Sequence, residues 1–382
     1  MRKKIFLHIG THKTGTTALQ STLSVNYKYL KKKGILYPSA GKFGKFGGHH
    51  NIIAQLNNDM QNFKKKYGTL EDLCSEIKRT NFPVVIISSE NFQCLYSKPD
   101  KLQILKNCFE RCGYSTEVII FLREQIPYMI ELYRELLKYG LDISFEEYTK
   151  EILDSGKFIL NPTKKFSETF SFIYEDTIKS FADVFGEKNI NCMQYAFPIE
   201  PIFFKATGLS NLYENLKPVT RADLTNKPLP FIKALALEYY NNKTSKNEIR
   251  DKVKQIGRNH IISWPLPSLY SIDNHIEPYI CRIKTEFFFE KFTGSNIRLN
   301  ANYGLKLPIN NEYYASPKTQ QTSKYDCYRD YSVSVETLAN KAIGISKLPL
   351  IAGKALRKFY KFLNPLKRIL YKFADYEYNK RT

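Results

Sequence analysis

Four short strand-like segments constrain the fold more than any other feature of the chain. Lys4 to Ile9 ends at Gly10, Val84 to Ser88 follows Pro83, Val118 to Leu122 ends at Arg123, and Asn189 to Tyr195 follows shortly after Gly186. The first three are apolar runs that read as buried strands, and Asn189 to Tyr195 reads as a fourth strand. Between them the pattern turns helical. Leu19, Leu23, Tyr27 and Leu30 share one helical face, and Lys31, Lys32 and Lys33 before Gly34 supply cations for a last turn and a glycine stop. A second helix is expected from about Asn51. A third runs from about Ile126 to Tyr139 with Pro127 in its first turn, and Phe181 to Phe185 closes a fourth, capped by Gly186. Strands alternating with helices predict an α/β fold: a parallel sheet covered by helices on both faces, followed by a helical C-terminal part over residues 209–310.

A length of 382 residues fits one large or two modest domains, and 43% hydrophobic with 14% aromatic content excludes a disordered chain. The expected organisation is a domain over 1–310, a polar linker over 311–340 and a basic tail over 341–382. No apolar run reaches the roughly 18 residues of a membrane span. Met1 to Lys4 is basic like the start of a leader, but the apolar stretch stops at His8 and Gly10. The expectation is a cytoplasmic protein. Its seven cysteines, Cys74, Cys94, Cys108, Cys112, Cys192, Cys281 and Cys327, form no CxxC pair and read as reduced core residues.

The net charge of +21 sits at the two ends. Residues 1–66 hold 13 Lys and Arg against Asp59 alone, residues 341–382 hold 11 against Asp375 and Glu377, and the stretch between is neutral. A basic end suits an anionic ligand, an anionic polymer or a membrane surface.

The segment Gly10-Thr11-His12-Lys13-Thr14-Gly15-Thr16-Thr17 lies between an expected strand and an expected helix. Such a loop wraps phosphate oxygens with peptide N–H groups, while the helix N-terminus adds positive potential. The nucleotide-binding pattern GxxxxGK[ST] puts its lysine directly after the second glycine. Here Thr16 occupies that slot and the lysine, Lys13, lies inside the loop. A nucleoside-triphosphate kinase therefore fails at its defining residue, although the loop is P-loop-like.

With the lysine displaced in this way, Phe6 to Gln20 resembles the 5′-phosphosulfate loop of bacterial sulfotransferases that use PAPS (3′-phosphoadenosine-5′-phosphosulfate). Leu36-Tyr37-Pro38, Gly47 to Asn51, Ser88-Ser89-Glu90, Phe121-Leu122-Arg123, Phe185 to Ile190 and Phe292 to Tyr303 resemble further segments of that family, so the likeness spans residues 1–310 with decreasing specificity. It implies a P-loop-like sheet and transfer of a sulfuryl group from PAPS to a hydroxyl, with a carbohydrate or glycolipid of a bacterial surface as acceptor. It implies no metal. Thr11, His12, Lys13, Thr14, Gly15, Thr16 and Thr17 would hold the donor's 5′ side, with Lys13 also neutralising charge on the leaving phosphate. Arg123 would hold the 3′-phosphate. In the family a serine eight positions on assists it; this chain has Glu131 there, which would repel a phosphate.

A base for the acceptor hydroxyl has three candidates. Glu90 lies just past the second strand, at the same edge as the loop. His49 and His50 titrate near neutrality beside a glycine-rich stretch, residues 38–48. The tail repeats apolar residues at Ala352, Ala355, Leu356, Phe359 and Leu363, then at Leu366, Ile369, Leu370 and Phe373, with lysines and arginines between. This suits peripheral attachment to an anionic membrane, at the inner face, better than nucleic acid. Two competing readings remain: a catalytically silent nucleotide- or glycan-binding protein, and a small-molecule kinase.

Overall fold

A computed structural model describes residues 3–43, 47–60, 62–163, 166–219, 229–245, 251–263 and 285–310. The linker and basic tail expected over 311–382 lie outside the described residues. The described residues form two compact units. One is built within Met1–Tyr128, Glu151–Asn226 and Glu286–Asn310, the other within Met129–Lys150 and Lys227–Thr285.

The first unit holds a five-stranded, all-parallel sheet. Its strands are β1 (Lys4–His8), β2 (Ile35–Leu36), β3 (Val84–Ser88), β4 (Ser115–Leu122) and β7 (Ile190–Gln194), in the order β2-β3-β1-β4-β7. The four strand-like segments are thus four of the five strands. The fifth, β2, is two residues long, too short to leave a periodic signal. β1 is central: His8 is level with Ser88 of β3 on one side and Ile119 of β4 on the other. The chain leaving β1 returns on the β3 side, whereas the chain leaving β4 returns as β7 on the opposite side. The gap between the carboxyl ends of β1 and β4 is therefore the point at which open α/β sheets bind ligands.

Helices cover both sheet faces. On one, Phe6, Ile86, Ile119 and Phe121 pack with Leu19 and Leu23 of α1 (Thr16–Val25), Leu30 of α2 (Tyr27–Lys32), and Ile199, Phe203 and Phe204 around α9 (Glu200–Ala206). The helix expected from Thr16 is divided at Asn26, but its apolar spacing holds: Leu19, Leu23 and Leu30 are fully buried. Each such leucine contributes about 2 kcal/mol through apolar burial. On the other face Ile5, Leu7, Val85, Ile87, Val118, Ile120 and Leu122 are buried. There α5 (Pro99–Arg111) and α8 (Tyr174–Phe185) pack against β4.

Two features depart from the sequence reading. An antiparallel hairpin, β5 (Lys157–Thr163) with β6 (Phe166–Ser171), stands apart from the main sheet and was not anticipated. The expectation of seven reduced thiols is corrected at two of them: Cys74 on α4 (Leu70–Thr80) and Cys108 on α5 form a disulfide, with Cα atoms 6.6 Å apart. Thirty-four residues separate them in sequence. Only the packing of α4 on α5 brings them together.

The second unit contains the C-terminal part of α6 (Gln125–Tyr139), the start of α7 (Phe145–Ser155), α11 (Phe231–Ser245) and α12 (Asp251–Ser263). Asn241 of α11 donates to the carbonyls of Leu137 and Leu141, and the fully buried Tyr148 hydroxyl donates to the Met129 carbonyl. Glu131 and Arg134 pair at 3.3 Å, both nearly inaccessible to solvent. The last described helix, α13 (Thr285–Tyr303), confirms the helical character expected after residue 209. Among the described residues no helix is long and apolar enough to cross a membrane.

Candidate active site

Leaving β1, the chain turns through Gly10 to Gly15 and enters α1. Three residues of this turn are left-handed: Gly10 at φ 44°, Lys13 at φ 63° and Gly15 at φ 76°. Gly10 is required for a second reason, because a Cβ there would lie 2.7 Å from Thr16 Cγ2. Lys13 adopts a conformation that costs a side-chain-bearing residue about 1 kcal/mol or more, the kind of strain found at ligand-binding turns. Gly15 is the N-cap of α1, so the peptide N–H groups that open the helix point away from any intrahelical acceptor.

Side chains hold the turn in place. The Thr11 hydroxyl donates to the Phe121 carbonyl on β4 at 3.0 Å, and the Thr14 hydroxyl donates back to the Thr11 carbonyl at 2.5 Å. Arg123, the first residue past β4, donates from Nη1 to the Lys13 carbonyl at 3.1 Å, and its guanidinium lies 5.4 Å from the centre of the Tyr195 ring. The Tyr174 hydroxyl donates to the Arg123 carbonyl at 2.6 Å. Lys13 and Arg123, which the sequence reading assigned to opposite ends of one donor, thus belong to neighbouring strand ends joined by a hydrogen bond. Glu131, which that reading set beside Arg123, has its carboxylate on Arg134.

The end of β3 supplies the acidic side. The Ser89 amide donates to the His8 carbonyl, and Glu90 opens a 3₁₀ segment, Glu90–Ser97. The Glu90 carboxylate accepts from Gln20 Nε2 of α1 at 2.9 Å and lies 4.0 Å from His50 Nδ1. His50 Nδ1 is also 2.8 Å from the Ser89 hydroxyl. Burial pushes the Glu90 carboxyl up, but His50, His12 and the Gln20 hydrogen bond outweigh it and hold the group below the usual carboxylate range. Glu90 is therefore ionised at neutral pH.

The other three histidines near this edge are differently placed. His49 is fully buried; its Nδ1 accepts from the Ser88 amide at 3.2 Å, and its Nε2 faces the Pro38 carbonyl at 3.2 Å. Both ring nitrogens are engaged, and burial drives its pKa down to about 3. His8, on β1, is also fully buried, with Nδ1 2.8 Å from the Ser88 hydroxyl and a pKa lowered by burial to about 4. His12, inside the loop, packs edge-on against Phe170 and lies 3.6 Å from Glu168 of β6, which also accepts from the Cys94 thiol at 3.1 Å. Sequence reasoning missed Glu168 and Cys94 because the hairpin carrying the first was not foreseen and the second had no motif around it. Gln20 lies in the quoted motif, but nothing in its spacing revealed its bond to Glu90.

No protein-family model matches the chain, and no curated protein matches it. Among solved structures, a sulfotransferase from Alicyclobacillus acidocaldarius is similar at 12% identity, over 79% of this chain and 96% of that chain, with a TM-score of 0.34. A superposition that loose carries no inference; the fold rests on the strand order and register described above.

The buried histidines generate a stability prediction. Both are neutral in the folded protein and titrate near pH 6.5 when unfolded, so unfolding takes up protons below that pH. Stability is full above about pH 6.5 and falls as the pH drops toward 4, by up to about 1.4 kcal/mol per pH unit for each histidine. Thermal melts from pH 7 to pH 4 should show this fall. His49→Gln should be less stable at pH 7 but show a shallower decline.

Proposed function

We propose that this protein is a sulfotransferase that moves a sulfuryl group from PAPS to a hydroxyl of a carbohydrate or glycolipid acceptor. The observation that supports this best is the turn after β1. A lysine lies inside a glycine-bounded, left-handed loop, at the switch point of a parallel sheet, hydrogen-bonded to an arginine from the next strand end. A P-loop kinase would need its lysine where Thr16 stands.

In this reading the donor's 5′-phosphate lies against the N–H groups that open α1, with Thr16 and Thr17 adding hydroxyls. Arg123 reaches the 3′-phosphate. The acceptor oxygen attacks sulfur in line, and the bond from sulfur to the bridging oxygen breaks. Adenosine 3′,5′-bisphosphate leaves with its new negative charge against the Lys13 ammonium. Glu90, ionised and aimed by Gln20, takes the acceptor proton; His50 supports the carboxylate from the other side. His49 is not the base in this scheme, since both its nitrogens are already bonded within the core. No step requires a metal.

Replacing Lys13 by Ala should lower kcat by on the order of 10²-fold or more while leaving the fold intact. Adenosine 3′,5′-bisphosphate should raise the melting temperature of the wild type, and ATP should do so far less. A folded K13A protein with near-normal transfer of labelled sulfate from PAPS removes the assignment.

Glu90→Gln preserves the shape of the side chain and the bisphosphate-induced thermal shift but removes proton acceptance, so transfer should fall by about 10² to 10⁴. His50→Ala should fall less. The reverse order would move the base to His50.

The basic tail, residues 341–382, supports an acceptor held at a membrane, with about 1 kcal/mol of attraction per cation near an anionic surface. Deleting it should spare transfer to a soluble acceptor and abolish co-sedimentation with vesicles rich in anionic lipid at low salt. Equal, poor sedimentation of both proteins would contradict this.

A further inference from the structure

Three side chains from three separate segments converge on one face of the donor loop: His12 from the turn after β1, Cys94 from the 3₁₀ segment after β3, and Glu168 from β6. Their candidate ligand atoms all lie within 4.8 Å of one another. Glu168 Oε1 is 3.1 Å from Cys94 Sγ and 3.6 Å from His12 Nε2. Donor atoms bound to a tetrahedral zinc at about 2.0–2.3 Å stand roughly 3.3–3.6 Å apart, so the edge from Glu168 to His12 already has the size of a metal site and the edge from Glu168 to Cys94 needs only a small lengthening. Cys94 is buried at 4% exposure, and the His12 and Glu168 side chains are each 19% exposed. A carboxylate shared by a thiol and an imidazole, largely out of water, has few structural uses. A surface ion pair needs no thiol, and a core cysteine needs no carboxylate.

We propose that His12, Cys94 and Glu168 form a binding site for a divalent cation of the zinc class. Binding replaces the Cys94 S–H bond by a sulfur–metal bond, and the thiol proton leaves to water. One nitrogen, one sulfur and one oxygen select a borderline-soft ion; calcium and magnesium would demand more oxygens than the cluster offers. The fourth position is left to water or to a ligand atom. Glu90 adds negative potential from the side of the loop, and Lys98 opposes it from the side of Cys94. The metal would bridge the loop to β6 and to the segment after β3, fixing the residue next to Lys13. It uses the imidazole of His12 only, leaving the main chain of the turn to an anion. The site stands whether or not the protein transfers sulfate.

The test uses the full chain with the Cys74–Cys108 disulfide intact, stripped of metal and titrated with cobalt(II). One equivalent should produce a thiolate-to-cobalt charge-transfer band in the near ultraviolet, which zinc bleaches on displacement. The band should persist in Cys112→Ser and vanish in Cys94→Ser. Zinc affinity, measured by competition with a chromophoric chelator, should fall at least about tenfold in Glu168→Gln and in His12→Ala, the latter a loop position whose loss spares the core. Magnesium and calcium should not compete. No band in the wild type, an undiminished band in Cys94→Ser, or unchanged zinc affinity in folded His12→Ala overturns the proposal.

Discussion

The pairing of β1 with two parallel neighbours at once sets everything at the site. Its last residue, His8, is level with Ser88 on β3 and with Ile119 on β4. Parallel strands in register end at the same edge, so the turn after β1, Glu90 after β3 and Arg123 after β4 emerge side by side. Were β1 to slip by one residue against β3, Phe6 would turn from the cluster it shares with Ile86 and Ile119 toward the opposite face. The apolar cost of that slip keeps the register, and the register keeps the lysine, the arginine and the glutamate together. The same edge carries the short bonds that make the turn rigid: Thr11 to the Phe121 carbonyl and Arg123 to the Lys13 carbonyl.

Charge is sorted across this edge. On the β4 side Arg123 sits against the carbonyl of Lys13, and the helix N-terminus of α1 adds to the positive potential. On the β3 side lie Glu90 and Glu168, whose burial pushes both carboxyls up. Each is held ionised by histidine and by donated hydrogen bonds: Glu90 by His50, His12 and Gln20, Glu168 by His12 and Cys94. His12 acts on both carboxylates. An anionic donor and a hydroxyl nucleophile would want this division, with cations where the leaving group departs and a carboxylate where the proton is released.

The neutral histidines serve the opposite purpose. His8 and His49 are sealed in the core beside the charged edge, where burial drives both well below their ordinary range. His49 ties the Ser88 amide to the Pro38 carbonyl, and its ring stands edge-on to Tyr37 at 5.0 Å. It thereby fixes the strand end from which Glu90 departs. Two adjacent histidines, His49 and His50, thus have unlike roles because one faces the core and the other faces the carboxylate.

Periodicity and turn chemistry in the sequence were enough to determine the parallel sheet, its four long strands and the loop, because buried strands and glycine-bounded turns are local patterns. Glycine at positions 10 and 15 permits the positive φ values found there. What the tertiary structure alone decided are the pairings between segments remote in sequence. Gln20 on Glu90 spans 70 residues and Arg123 on Lys13 spans 110. The hairpin that brings Glu168 to His12, and the helix packing that joins Cys74 to Cys108, are of the same kind. No periodicity encodes which helix faces which strand end. The choice between His49 and His50 was equally hidden, because they are the N-cap and the first residue of one helix, His50–Leu56, and no local pattern says which ring the core takes. Only the packed core determines which of them it encloses.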